Sequence, residues 1–383
     1  MLTLSLLLLQ SVATPTSGRV EASDASIVVN GSSLDATRQA VERCFAEQCP
    51  PDREMRATLR YANQQFLAGQ YDAARRTIGR SRHRNNRYAK RYPELVSDLA
   101  RADVTLSTMV GRPQFAFSAS LDAVSALKSG LPVVDPKIMM QRLELGDQFA
   151  RQGRLEAAAE IYDGVAKQGR DINNYAVEGH ALYRSAVLFS TVASVNSLYR
   201  YRARRAVARL ADRPEPEFAP FRDGLVLLES RLKVLSAKPS QRAAALASVP
   251  KTGLTEPVLL SEPFVDFNRP GLSTTGTAST GAEWADVSFW VKPDGTVDDV
   301  QVEQTSSTPP GGWLPLKLKA VADRRYAPVQ QSDGPGVYRV ERFSMVYNMV
   351  RPTGALVPIR SSHGRLLTTS LSSSYQAKKV PVQ

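Results

Sequence analysis

Few residues of this chain have the type and spacing that catalysis or metal binding requires. Asp298 and Asp299 are adjacent carboxylates that could act as a general acid and base, but they lie beside a hairpin turn, where solvated acids are ordinary. The three histidines are scattered, and the two cysteines lack the further ligands of a zinc site. The sequence contains no phosphate-cradling glycine loop, nucleophile elbow, zinc-protease helix or EF-hand pattern. It therefore predicts a non-enzymatic protein with no cofactor and no metal.

Two other pairs of residues suggest local structure more than chemistry. Cys44 and Cys49 are five positions apart, and in an oxidising compartment we expect them to form a disulfide that closes the end of the first helix. Two unpaired thiols are the alternative. Trp290 and Trp313 could stack on sugars or peptides, although such residues are more often core or cross-strand partners.

The last third of the chain shows the pattern of a hairpin followed by a helix and a strand. Apolar and polar residues alternate from Ala285 to Val291, the period of a strand with one buried face. Pro293, Asp294 and Gly295 then predict a turn, because proline fixes φ at its first corner and glycine accepts a positive φ at its exit. The pattern continues with an antiparallel strand through Val300 and Val302, a helix over 314–325 and a third strand over 337–350.

These residues resemble the C-terminal domain of TonB-like proteins. The match rests on the motif V-x-F-x-V-x-x-D-G-x-V-x-D-V-x-V over 287–302, on Ser306, and on Tyr326-Ala-Pro328. The resemblance implies a small α+β domain over 283–350 with an antiparallel sheet, a periplasmic location, and a last strand that pairs with an extended peptide, as in recruiting outer-membrane transporters. On that strand, the candidate partner-binding residues are Tyr338, Val340, Arg342, Phe343, Met345 and Tyr347.

The region over 34–246 lacks strand alternation and predicts helices. Two of its segments align: Gly69 matches Gly153, and Ala74 matches Ala158. Both segments resemble a tetratricopeptide repeat, in which small residues let paired helices approach closely and the glycine ends the first helix. A weaker copy around Gly111 spaces the glycines 42 residues apart, at 69, 111 and 153.

A spacing longer than the ~34 residues of the standard repeat favours an irregular α-helical solenoid. The fold class expected of the whole chain is therefore multidomain, with a tetratricopeptide-like solenoid followed by the small α+β domain. A solenoid generally presents a groove to peptides or protein surfaces, and a structural spacer is the alternative.

The net charge of +12 favours anionic surroundings. Scattered arginines that only solubilise helices are the alternative. Arginine with interleaved aromatic residues can bind nucleic acid, but an exported protein is expected instead at anionic envelope surfaces or peptidoglycan. The first basic cluster comprises Arg75, Arg76, Arg80, Arg82, Arg84, Arg87, Lys90 and Arg91, and the second comprises Arg200, Arg202, Arg204, Arg205 and Arg209.

The first residues predict export. An apolar run over 2–9 and small residues at 11–13 indicate a signal peptide over 1–13, and the run is shorter than the ~20 residues that span a bilayer. We therefore expect a periplasmic protein with no transmembrane span after signal removal. No basic residue precedes the run, so a true start farther upstream, which would permit inner-membrane anchoring, stays open.

Two segments are predicted to be irregular. Residues 263–281 are rich in Ser, Thr, Gly and Pro and predict a flexible linker. Residues 351–383 predict a mobile tail, although apolar Leu356, Val357 and Ile359 leave open that the tail lies along a domain surface.

Together these features predict an adaptor of a Gram-negative cell envelope. Its TonB-like domain would dock an extended segment of an envelope or outer-membrane protein by strand addition. A peptidoglycan-binding adaptor is one alternative. Energy transduction to outer-membrane transporters is another, although the long membrane helix and Pro-rich spacer that it requires are not visible in this sequence.

Overall fold

The computed structural model of the chain describes residues 33–251, 257–267, 283–306, 311–328, 336–350, 353 and 359–372. The predicted export signal over 1–13 and most of the predicted linker, from 268 to 281, lie outside these residues. The described chain has a helical region first and antiparallel sheets with one further helix after it.

The helices described in this region are α1 (Leu34–Ala46), α2 (Pro51–Leu67), α3 (Tyr71–Asn85), α4 (Pro93–Met109), α5 (Pro113–Gly130), α6 (Pro136–Arg151), α7 (Leu155–Asp171), α8 (Tyr175–Val195), α9 (Arg200–Ala211), α10 (Ala219–Ser236) and α11 (Arg242–Ala247). From α1 to α9 the helices pack mainly on their neighbours in sequence, whereas α10 packs more on α8 than on α9. Proline occupies the first position of several helices, where its missing N–H costs no hydrogen bond.

Three glycines end alternate helices, as their spacing predicts. Gly69, Gly111 and Gly153 follow α2, α4 and α6 and have φ angles of +73°, +71° and +76°. The residue after each glycine donates its N–H to the carbonyl five positions earlier, with N···O distances of 2.8, 2.8 and 3.0 Å. This is the Schellman type of helix end, in which a residue without a Cβ takes the left-handed conformation.

Buried acids join the helices of this region. The side chain of Glu178 on α8 is fully buried, and it accepts from Arg170 of α7 at 2.9 Å and from Arg213, after α9, at 3.0 Å. A buried carboxylate is tolerated only when it is paired in this way. Among the described residues, every helix is too short or too polar to cross a membrane.

His180 on α8 should make stability depend on pH. Its ring lies edge-on to Phe221 with centroids 5.0 Å apart, and burial, aided by Arg184, lowers its pKa to about 4. In the unfolded chain His180 is protonated below about pH 6.5, whereas in the folded protein it stays neutral down to about pH 4. As pH falls from 6.5 to 4, we expect a progressive loss of at most about 3 kcal/mol in unfolding free energy.

Urea unfolding at pH 7 and pH 4.5 measures this effect. His180→Leu should lose stability less steeply on acidification than the wild type. His83→Leu is the matched control, since His83 is exposed, and it should keep the wild-type dependence. Identical pH dependence in the His180→Leu variant and the wild type would show that this imidazole plays no such part.

The described residues of the C-terminal part contain the predicted hairpin, helix and third strand. The elements are β1 (Leu259–Ser261), β2 (Glu283–Val291), β3 (Val297–Thr305), α12 (Trp313–Ala322), β4 (Arg325–Tyr326), β5 (Val337–Val350) and β6 (Ile359–Ser370). In this described part the strands form two antiparallel sheets, a larger one with the order β3-β2-β5-β6 and a smaller one that pairs β1 with β4.

One face of the larger sheet carries its core. Phe289 of β2 and Phe343 of β5 are fully buried there, beneath Trp313 and Val321 of α12. β1 links the two parts, because it pairs with β4 while Leu260 packs with Leu227 and Val234 of α10. The five described residues of the predicted linker, 263–267, include Phe267, which packs on the same core.

The predicted mobile tail is wrong where the structure describes it. Residues 359–370 form β6, which runs antiparallel to β5 from the pair Val350 and Ile359 to the pair Glu341 and Ser370. Leu366 packs on the sheet core and Leu367 on the helical side. These two neighbouring leucines therefore lie on opposite faces of the sheet, as successive residues of a strand do.

Candidate functional site

The strand proposed to bind a partner is not at the edge of its sheet. β5 pairs with β2 over 337–345 and with β6 over 341–350, so both sides of the strand are paired over 341–345. Val340 bonds to Leu371 and Ser372, and Met349 donates to Gly111. The prediction that this strand accepts an added peptide is therefore wrong for these residues. The reason is β6, which takes the place that an external strand would have needed.

The side chains of β5 divide between two internal faces, as the period of a strand requires. Phe343, Met345 and Tyr347 belong to the core beneath α12. Val340 is fully buried, and Arg342 points to the helical region. Tyr338 is half-buried against Trp290, with ring centroids 5.2 Å apart.

Arg342 joins the sheet to the helices. Its guanidinium lies 3.8 Å from the centre of the Trp284 ring and forms a two-point ion pair with Asp286, at 2.5 and 2.8 Å. It also donates to the carbonyls of Phe66 and Leu67 at the end of α2, at 2.8 and 2.7 Å. A planar fork with five donors suits this arrangement, because it bonds a carboxylate and two helix-terminal carbonyls at once.

The turn glycines form the other half of this contact. A Cβ on Gly69 would lie 2.0 Å from Nε1 of Trp284, and one on Gly111 would lie 2.0 Å from the carbonyl oxygen of Tyr347. The N–H of Met349 donates to the carbonyl of Gly111 at 2.9 Å. The sheet therefore rests on the α2–α3 and α4–α5 turns, and the predicted binding strand contacts this chain's own helices.

A second buried network ties β1, α12 and β5 together. Glu262, just after β1, pairs with Lys317 of α12 and with Arg324, the latter at 3.2 Å. Arg324 also donates to Glu341 of β5 at 2.8 Å, and its guanidinium lies 5.6 Å from the centre of the Phe343 ring. Each of these charges has an opposite charge beside it, which is the condition for burying them.

The pKa values in this network follow from burial and pairing. Burial opposes ionisation of Glu262, but Arg324 and Lys317 outweigh it and hold the pKa of Glu262 below its usual value. Burial lowers the pKa of Lys317, and the nearby Arg324 lowers it further. The network holds charges in place within the fold.

No family model, curated protein or solved structure matches this chain.

The other candidate functional residues contact side chains of this chain. Trp313 is buried and donates from Nε1 to Glu283 at 3.0 Å, while Trp290 packs on Tyr338 across the strands. Both tryptophans are thus packing residues. Asp298 is exposed and pairs with Lys292 at 2.7 Å, a contact that lowers the pKa of this aspartate. Within the part of the chain that the structure describes, no three His, Cys, Asp or Glu side chains group to hold a metal ion.

The two cysteines form one bond. Cys44 and Cys49 are joined by a disulfide, with Cα atoms 5.0 Å apart, at the junction of α1 and α2.

The larger sheet has two outer strands, β3 and β6, and among the side chains that the structure describes those of β3 are the more exposed. This strand pairs with β2, and most of its side chains are exposed. Asp299 has a φ of +52°, and the register of β3 against β2 shifts twice, between Asp298 and Gln301 and between Val302 and Gln304. The sequence predicted this strand but gave no reason to prefer it as a docking edge, because the position of β6 was missing from the prediction.

Proposed function

We propose that this chain is a non-enzymatic adaptor of the bacterial envelope that docks an extended protein segment at the outer edge of β3. The observation that carries the proposal is that β3 pairs with β2 alone within the described residues and is more exposed than β6, the other outer strand. An outer strand offers a row of N–H and C=O groups to an extended chain. Residues 300–305 of this edge span about 20 Å at ~3.3 Å per residue, with a register shift between Val302 and Gln304.

The charge of this edge indicates the kind of segment that it takes. Asp298, Asp299 and Glu303 give β3 an acidic character in a chain whose net charge is +12. Glu303 is the one charged side chain within 300–305, with Asp299 just before this stretch, and these two carboxylates favour a segment that carries Lys or Arg. They also oppose pairing with the same edge of a second copy, because like charges directly opposite each other on two strands repel.

In the adaptor role that we propose, the helical region is a rigid base for the sheet. In this proposal it is a tetratricopeptide-like array, in which the glycine-ended turns after α2 and α4 hold the sheet and leave β3 on the far side of β2. The array and the sheet then move as one body. A partner bound at β3 is carried at a fixed position relative to the helices.

Site-specific photo-crosslinking tests the docking edge. A photoreactive residue at Val302, which is 41% exposed on β3, should give a discrete cross-link to one envelope protein. The same residue at Lys319, whose side chain is 80% exposed on α12, is the control and should not. The cross-linked segment should be extended and contain Lys or Arg. Equal cross-linking from both positions would contradict the proposal.

A synthetic peptide of the cross-linked segment then tests the mode of binding. We expect its addition to slow amide hydrogen exchange over 300–305, because added strand hydrogen bonds protect amides. Glu303→Lys should weaken peptide binding about tenfold by placing a cation beside the basic segment. Binding that leaves these amides unprotected would exclude strand addition at β3.

A further inference from the structure

A basic groove lies in the helical region, along α3. It is an open groove of about 430 Å³ between α3 and α4. Its walls carry Arg75, Arg76, Arg80, His83 and Arg84, with Asp103 of α4 on the other side. A cavity of this size falls in the range of small-molecule sites, roughly 300–1,000 Å³.

Two of its arginines are fixed by partners. Arg75 donates to Ser107 at 3.0 Å and lies 3.6 Å from Asp103. Arg84 pairs with the buried Glu54 at 2.6 Å. Asp103 is further neutralised by Arg82, so the single acid of the groove wall does not cancel its positive charge.

Arg76 and Arg80 are different. Both are exposed, and within the described residues neither forms a salt bridge. They are four positions apart on α3, which places their Cβ atoms about 6 Å from each other on one helix face. Their guanidinium groups are therefore available to one ligand at the same time.

Gly79 lies between Arg76 and Arg80 on α3 and lines the same groove. A Cβ at this position meets nothing within 4 Å, so the space above the helix is empty. The helix surface between Arg76, Arg80 and His83 is therefore open.

From these observations we infer that the groove binds a phosphomonoester or diphosphate group. Two guanidinium forks one turn apart supply several donors for the oxygens of one terminal phosphate or of two adjacent phosphates. A single carboxylate uses one fork and leaves the other unpaired. The phosphate belongs either to a soluble molecule or to a lipid headgroup, and the site is separate from the β3 edge.

Titration calorimetry with pyrophosphate tests the inference on the full chain at about 0.15 M salt, where surface attraction is screened. Arg76→Gln/Arg80→Gln should weaken binding by a factor of at least about ten, the effect of losing charge-assisted hydrogen bonds. Gly79→Leu should weaken it similarly by filling the groove while leaving the net charge unchanged.

The matched control is Arg200→Gln/Arg204→Gln on α9, which removes the same charge from two other exposed arginines. It should bind pyrophosphate like the wild type. Absence of pyrophosphate binding, equal loss in the α9 variant, or wild-type affinity in Gly79→Leu would each overturn the inference.

Vesicles distinguish the two sources of phosphate. Binding to vesicles with phosphatidic acid, which carries a phosphomonoester, that pyrophosphate displaces would support the site with a lipid headgroup as ligand. Pyrophosphate binding without vesicle binding would support it with a soluble ligand. Equal binding to phosphatidylglycerol vesicles, whose phosphate is a diester, would overturn the preference for a terminal phosphate.

Discussion

Arg342→Leu is expected to lower the free energy of unfolding by about 3–5 kcal/mol, the usual cost of leaving one member of a buried ion pair without the other. Arg342 and Asp286 are each about 1% exposed, so water cannot solvate the carboxylate that remains. The carbonyls of Phe66 and Leu67 lose their donors in the same variant. Urea unfolding followed by circular dichroism measures the loss.

The matched variant removes both charges. Arg342→Leu/Asp286→Leu should recover much of the lost stability, because no isolated charge stays buried. Arg342→Lys should remain destabilised, since an ammonium group cannot reproduce the planar fork that bonds Asp286 and the end of α2 together. An Arg342→Leu variant within 1 kcal/mol of the wild type would contradict this account of the interface.

Gly111→Ala should destabilise the protein more than Gly153→Ala. Both glycines have a left-handed conformation, which costs another residue about 1–2 kcal/mol. At Gly111 the new Cβ would also lie 2.0 Å from the carbonyl oxygen of Tyr347, whereas at Gly153 it would meet nothing within 4 Å. Because the obstacle is backbone, β5 must move, and we expect a further loss of about 1–3 kcal/mol.

Hydrogen exchange separates this displacement from simple strain. The amide of Met349, which donates to Gly111, should exchange faster in Gly111→Ala and stay protected in Gly153→Ala. Equal losses of stability and equal protection in the two variants would mean that the sheet does not rest on this turn.

Local patterns predicted the elements of the fold well. Pro293, Asp294 and Gly295 form the expected turn, in which Gly295 has a φ of +82° and Asp294 accepts from the N–H of Thr296 at 2.9 Å. The third strand has the predicted bounds of 337 and 350. These features depend on residues that are near one another in sequence, where periodicity and turn chemistry are informative.

Contacts between distant segments could not be predicted from the sequence. Gly69 and Gly111 were recognised as helix ends, but nothing in their neighbourhood shows that they also make room for Trp284 and the backbone of Tyr347. Arg342 lies in a strand where an arginine suggests an exposed position, yet it is buried by α2. The candidate site was misplaced for the same reason, because which strand is outermost depends on pairing between distant segments.

In the basic groove, too, local sequence was informative and long-range contacts were not. The sequence marked the arginines of α3 as a cluster but could not tell the paired from the available ones. Glu54 and Asp103, which engage Arg84 and Arg82, lie about 20 to 30 residues from them in the chain. Only the packing of α2, α3 and α4 leaves Arg76 and Arg80 as the pair for a ligand.

The contact between sheet and helices joins parts of the chain that are made at different times. Tyr71 and Ser344 share a hydrogen bond across 273 residues. At ~5–20 residues per second, a ribosome needs roughly 14 to 55 s to add that length. During this interval the turns after α2 and α4 have been synthesised but the sheet that packs on them has not. The side chains of Tyr71 and Met109 can then contact other apolar surfaces. The period between synthesis of α4 and synthesis of β5 is therefore when this protein most needs protection from misassembly.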